Sequence, residues 1–202
     1  RRGYSTGIEW LDERTGGFAP SQLWMIASAY KMRKTSLMQN FIIAACRSGA
    51  GVDVYTLEND REGTAEGIRA KMAAEILLAN GLADQTMSDE FVRRGLRTKQ
   101  QHDALMAADA ELRKFNLRIY DNRDRISDVG RLSMRLRYNR ALHGTRIFCV
   151  DYLQKMRGSG EIFDRVERNT HALQDLCTSE GLTGIILAQL NEATVRVGAD
   201  DD

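Results

Sequence analysis

Residues 147–154, Ile147-Phe148-Cys149-Val150-Asp151-Tyr152-Leu153-Gln154, open with an apolar run that ends in a single acid. A strand buried on both faces of a parallel sheet has this appearance, with one polar residue at its tip. Its counterpart lies upstream, where Leu23-Trp24-Met25-Ile26-Ala27 leads into Ser28-Ala29-Tyr30-Lys31-Met32-Arg33-Lys34-Thr35. An apolar strand, a short loop and a helix opening on Lys-Thr make the context of a phosphate loop. In such a loop backbone N–H groups wrap the phosphates and the lysine reaches the outer ones. The hydroxyl binds magnesium, and the helix N-terminus adds a favourable field. Together the two stretches predict a nucleoside-triphosphate site to which Asp151 brings a magnesium ligand.

Outward from these stretches, short apolar runs alternate with longer helical segments, the pattern of an α/β fold with a largely parallel sheet. Strands are expected at Leu23–Ser28, Val52–Leu57, Leu117–Tyr120, Arg146–Val150 and Gly184–Leu190. A helix is expected from about Lys34 to Arg47, because Leu37, Met38, Phe41, Ile42 and Ala45 recur at helical spacing before Ser48-Gly49-Ala50-Gly51. The stretch from Glu62 to Phe115 reads as mostly helical, with breaks near Gly81 and around Arg94-Gly95. Ser127 reads as the N-cap of a helix that runs to about Leu142, and another helix spans about Phe163 to Glu180. In wound sheets ligands bind beyond the carboxyl ends of the strands. Lys34, Glu58, Asp151 and Gln189 are all expected at that rim.

The loop departs from the G-x-x-x-x-G-K-[ST] pattern, with Ser28 at the first glycine position and Arg33 at the second. The second matters more, because a left-handed backbone there costs a non-glycine residue ~1–2 kcal/mol. Turned outward, the Arg33 side chain would add positive charge near the phosphates. The bland alternative is that Lys34-Thr35 merely begins an amphipathic helix. Residues 28–36, Ser28, Ala29, Tyr30, Lys31, Met32, Arg33, Lys34, Thr35 and Ser36, are the candidate phosphate-binding set. Thr35 and Asp151 are the candidate magnesium ligands, one acid sufficing for an ion that keeps water and phosphate oxygens. Glu58, at the end of the second strand, is placed to polarise an attacking water, and Gln189 to hydrogen-bond the terminal phosphate. An exposed turn acid and a backbone-satisfied glutamine are the plain alternatives for these two.

The bulk numbers set bounds. The chain has 202 residues with a net charge of +1, so contact with nucleic acid must come from local clusters. The densest clusters are Arg131, Arg135, Arg137 and Arg140 with Lys155 and Arg157, and Arg93, Arg94, Arg97 and Lys99. Such runs are by default solvated helix faces. No apolar run approaches the ~20 residues of a bilayer span, and Arg1-Arg2-Gly3-Tyr4 has no signal-like apolar core behind it. Cys46, Cys149 and Cys177 lie among apolar neighbours without paired spacing, as reduced core thiols of a cytoplasmic protein do. His102, His143 and His171 show no zinc spacing.

In order along the chain, Tyr4-Ser5-Thr6-Gly7-Ile8, Leu11-Asp12, Thr15-Gly16-Gly17, Lys34-Thr35 and Tyr55-Thr56-Leu57-Glu58 resemble segments of one family. So do Val150 to Gly160 and Ala188-Gln189-Leu190-Asn191. The family is the ATPase domain of DnaB-type hexameric replicative helicases, within the wider RecA-like group. The resemblance covers nearly the whole chain and is most specific in Asp151-Tyr152-Leu153-Gln154. It implies a RecA-like P-loop fold with helices on both faces of the sheet, ATP and Mg2+ as cofactors, and a homo-oligomeric, hexameric ring on single-stranded DNA. Carried over by position, Lys34 and Thr35 hold phosphates and magnesium, Asp151 holds magnesium, Glu58 is the base and Gln189 the sensor. Lys155 to Gly160 resembles the start of a channel loop, with Lys155, Arg157 and Gly158 on the nucleic acid. A primase or helicase loader is the implied partner. The family's primase-interacting domain and its later strands, which act on a neighbour's ATP, have no counterpart in 1–202. The chain is therefore expected to be one RecA-like ATPase domain. Two other readings compete: a catalytically impaired nucleotide- or DNA-binding subunit, suggested by Arg33, and a small-molecule kinase on the same scaffold.

Overall fold

The computed structural model describes residues 3–29, 32–82, 95 and 98–190. Its elements in chain order are α1 (Glu9–Thr15), β1 (Leu23–Ser28), α2 (Lys34–Arg47), β2 (Gly51–Thr56) and α3 (Arg61–Ala79). After these come α4 (Lys99–Leu112), β3 (Leu117–Tyr120), α5 (Val129–His143), β4 (Thr145–Asp151), α6 (Ile162–Glu180) and β5 (Thr183–Gln189). The five strands form a wholly parallel sheet in the order β1-β5-β4-β2-β3.

The period of two along β4 explains why the sheet has helices on both faces. Ile147 and Cys149 pack with Val52, Val54, Ile185 and Leu187 against residues of α2, α3 and α4, including Met38, Ile42, Ile68 and Leu105. Phe148 and Val150 face the other way, with Tyr55 and Ile186, onto Leu132 and Leu136 of α5 and Leu173, Leu176 and Cys177 of α6. Phe148 is wholly buried, and truncating such a phenylalanine to alanine costs about 3–5 kcal/mol. Gly184 lets α6 close on the sheet, because a Cβ there would sit 2.7 Å from Phe148 Cζ and 3.0 Å from Cys177 Sγ. Cys46, Cys149 and Cys177 are buried and unpaired, as their apolar neighbours predict.

The helix after β3 begins one residue later than expected. Its N-cap is Asp128, whose carboxylate accepts from the Arg131 N–H at 2.9 Å. Ser127 does not cap; its carbonyl instead accepts from the Arg157 N–H at 2.6 Å. The expected break around Arg94-Gly95 lies, apart from Gly95, outside the described residues, as do Arg93, Arg94 and Arg97. Among the described residues no helix is long and apolar enough to cross a membrane.

Candidate active site

Strand register brings the predicted residues to one rim. Ser28 of β1 lies beside Gln189 of β5, and Thr56 of β2 lies beside Asp151 of β4. Lys34 and Thr35 open α2 directly above this rim. Thr35 Oγ1 donates to Asp151 Oδ2 at 2.9 Å, and Lys34 Nζ donates to the carbonyls of Ser28 at 2.9 Å and Ala29 at 3.1 Å. Tyr30 and Lys31 lie outside the described residues. Met32 and Arg33 are exposed, and Ser36 is half-buried within the first turn of α2.

The two departures from the glycine pattern have different consequences. Ser28 is the last residue of β1, an extended position that places no demand for glycine. Arg33 is the N-cap of α2 at φ 55° and ψ 32°, in the left-handed region. The conformation that glycine would take at this position is thus adopted by an arginine, with its side chain turned outward.

Asp151 is 3% exposed, and among the described residues it has no ion-pair partner. Burial pushes its carboxyl above the ordinary aspartate range. The Thr35 hydrogen bond and the Lys34 charge oppose that rise, while the charge of Glu58 adds to it. Glu58 is exposed at the end of β2, and the next-door Leu57 N–H donates to the Asp151 carbonyl at 2.7 Å. One hydroxyl and one buried carboxylate suit a magnesium ion whose other ligands are water and phosphate oxygens. No group of three or more His, Cys, Asp or Glu among the described residues could hold a metal alone. Metal retention here would therefore depend on the phosphates.

One connection escaped the sequence. Gln154 Nε2 donates to the Gln189 carbonyl at 2.9 Å, and Gln154 Oε1 accepts from the Gln189 N–H at 3.3 Å. The end of β5 is thereby clasped to the turn that leads into Lys155. Lys155 Nζ lies 5.8 Å from the Tyr152 ring centre. Gly158 packs so closely on α6 that a Cβ would meet Arg165 Cγ at 2.9 Å. The basic set read along α5 divides. Arg137 and Arg140 pair with Glu180 at 2.8 and 3.0 Å, and Arg135 lies over the Tyr120 ring at 5.5 Å. Of the α5 arginines in that set, Arg131 alone faces the same cleft as Lys155 and Arg157.

Comparison with known proteins agrees with this architecture. The family model for the DnaB-like helicase C terminal domain matches residues 3–197. The replicative DNA helicase DnaB of Helicobacter pylori strain 26695 is 29% identical over 196 residues, covering 95% of this chain and 37% of that protein. The protein of the same name from Pasteurella multocida is 30% identical over 196 residues, covering 94% of this chain and 39% of that one. The chain thus spans under two fifths of the length of either relative. Among solved structures, a DnaB-like replicative helicase described with its primase interactions superposes with a TM-score of 0.78 at 20% identity. That match covers 99% of this chain and 45% of the other. A solved ATPase domain also gives 0.78, at 18% identity, over 96% of this chain and 66% of its own. At these identities the likeness speaks for the fold, which is the RecA-like one.

Proposed function

The chain belongs to the DnaB-like helicase C-terminal domain family, and from that premise we propose that it is an ATP-hydrolysing motor moving on single-stranded DNA. The observation that carries this reading is the 2.9 Å contact between Thr35 and Asp151. It joins the opening of the loop helix to the acid at the tip of the central strand, as a magnesium–phosphate site requires.

In this reading Lys34 and the loop N–H groups bind the phosphates, and Thr35 and Asp151 hold magnesium. The bound ion would neutralise charge on the transferring phosphoryl group. Glu58, exposed beside Asp151, takes the proton of the attacking water. Gln189 senses the terminal phosphate and passes its loss through Gln154 to Lys155, Arg157 and Gly158, which hold the nucleic-acid backbone. Assembly as a hexameric ring belongs to the same reading, as does contact with a primase or a helicase loader. The three buried, unpaired thiols fit a cytoplasmic setting.

The test is ATP turnover by the full-length protein, with and without single-stranded DNA, in wild type and in Lys34→Ala and Glu58→Gln. Turnover that depends on both residues and rises with DNA supports the motor. Turnover unaffected by either substitution overturns it. The left-handed Arg33 favours a second reading, a subunit that binds nucleotide or DNA without hydrolysis. Nucleotide binding with no measurable turnover would select that reading.

A further inference from the structure

A cleft of about 490 Å³ opens beside the candidate active site, floored by Leu57, whose N–H donates to the Asp151 carbonyl. Its walls carry four cations, Arg125, Arg131, Lys155 and Arg157, and two neutral polar residues, Asn122 and Ser127. No acid lines it. Among the described residues Arg125, Lys155 and Arg157 have no ion-pair partner, and Arg131 has only an open contact with Asp128 at 3.4 Å. Four like charges gathered in one concavity repel one another and focus a field that attracts a polyanion.

The cleft is held by backbone ties from three separate segments. Arg131 Nη1 donates to the Arg125 carbonyl at 3.0 Å, the Arg157 N–H donates to the Ser127 carbonyl at 2.6 Å, and Asn122 Nδ2 donates to the Leu57 carbonyl at 3.1 Å. Arg125 itself has a left-handed backbone at φ 56°, as Arg33 does at φ 55°. A cation thus occupies a strained turn position on each of two loops at this rim. Strain of this kind persists where the surrounding structure holds it, and it gathers at functional sites.

We propose that this cleft takes the phosphodiester backbone of single-stranded DNA, extending the contact of Lys155 and Arg157 to Arg125 and Arg131. The proposal rests on the single-stranded DNA reading above. Guanidinium forks match phosphate oxygens, the described residues that line the cleft present no aromatic face for stacking a base, and a lone phosphate would leave most of its volume empty.

The experiment measures the affinity of the full-length protein for a fluorescent oligothymidylate across a salt series. It uses wild type, Arg125→Gly with Arg131→Gln, and Lys155→Ala with Arg157→Ala. Glycine suits the left-handed position, so Arg125→Gly removes charge without asking the backbone there to change, while Arg131→Gln gives up its tie to the Arg125 carbonyl together with its charge. Two lost phosphate contacts flatten the logarithmic salt slope by about 1.4, which is a roughly 25-fold loss of affinity at 0.1 M salt that closes toward 1 M. If the Lys155 and Arg157 pair weakens binding and the Arg125 and Arg131 pair does not, the cleft proposal is overturned while the DNA reading stands. If neither pair matters, both fall. If the Arg125 and Arg131 pair loses a fluorescent ATP analogue and keeps the oligonucleotide, the cleft is a polyphosphate site, and the proposal is overturned.

Discussion

Thr35 and Asp151 lie 116 positions apart in the chain, yet the Thr35 hydroxyl donates to the Asp151 carboxylate at 2.9 Å. That bond leaves the carboxylate short of compensation, because burial still holds its pKa above the ordinary range. An aspartate raised in the folded state adds stability below its unfolded pKa of about 3.9. That contribution is lost as pH rises through the folded value. At neutral pH the ionised Asp151 therefore lowers the stability of the nucleotide-free chain. Asp151→Asn is expected to raise the melting temperature at pH 7, with the gain shrinking toward pH 4, and to abolish magnesium-dependent turnover. Thermal melts across that range check the first claim. A variant that melts lower than wild type at pH 7 would contradict it.

Arg33 permits a cleaner comparison. At φ 55° an alanine removes the guanidinium and keeps the backbone strain, whereas glycine removes both. Arg33→Gly is expected to exceed Arg33→Ala in stability by about 1 kcal/mol at an unchanged denaturant slope. Equal midpoints in urea would mean that the position carries no strain.

What the sequence made legible was local. Leu23–Ser28, Lys34–Arg47 and Leu117–Tyr120 have the bounds that apolar runs and a glycine-rich stop predict. The rim location of Lys34, Glu58, Asp151 and Gln189 followed from strand ends alone. The Ser127 cap was misread because two capping residues stand side by side, and the one with the charged acceptor takes the Arg131 N–H. The cleft was illegible for a different reason. Arg131, Arg137 and Arg140 share one helix, and only the distant Glu180 removes the last two from the free charge. Arg125 joins the others through a turn whose left-handed residue no periodicity announces. The Gln154 clasp likewise spans 35 residues and has no local signal.

Asp121 anchors the loop after β3, the one that carries Asn122 and Arg125 to the cleft. Its carboxylate is 4% exposed and accepts from Arg123 Nε at 2.8 Å, from the Arg123 N–H at 2.9 Å and from the Arg61 N–H at 3.1 Å. The bond from the Arg123 guanidinium, joined by these N–H groups, holds the carboxyl well below the usual aspartate range. A depressed carboxylate stabilises the fold above its unfolded pKa, about 3.9, and loses that contribution as pH falls through the folded value. Asp121→Asn should therefore melt below wild type at pH 7, with the gap closing only under pH 4. A gap of constant size from pH 7 to pH 3 would show that the ionised form contributes nothing.

Gln154 connects the strand end that carries Gln189 to the loop that carries Lys155 and Arg157. Its two amide hydrogen bonds, at 2.9 and 3.3 Å, tie it to the Gln189 backbone. Arg165 Nη2 donates to its carbonyl at 3.4 Å from α6, the helix on which Gly158 packs. On the proposed reading, a shift of β5 on loss of a terminal phosphate would move the loop, and DNA on the loop would bias β5 in return. Methionine fills a similar volume and makes neither amide bond. Two neutral hydrogen bonds at about 1 kcal/mol each set a ceiling near thirtyfold on the coupling they transmit. Gln154→Met is expected to reduce DNA stimulation of ATP turnover about five- to thirtyfold while the unstimulated rate holds. By reciprocity, the effect of a non-hydrolysable nucleotide on DNA affinity should shrink with it. A stimulation ratio that survives the substitution would leave the clasp with a structural role alone, and the signal would then have to run through α2 or the β4 tip instead.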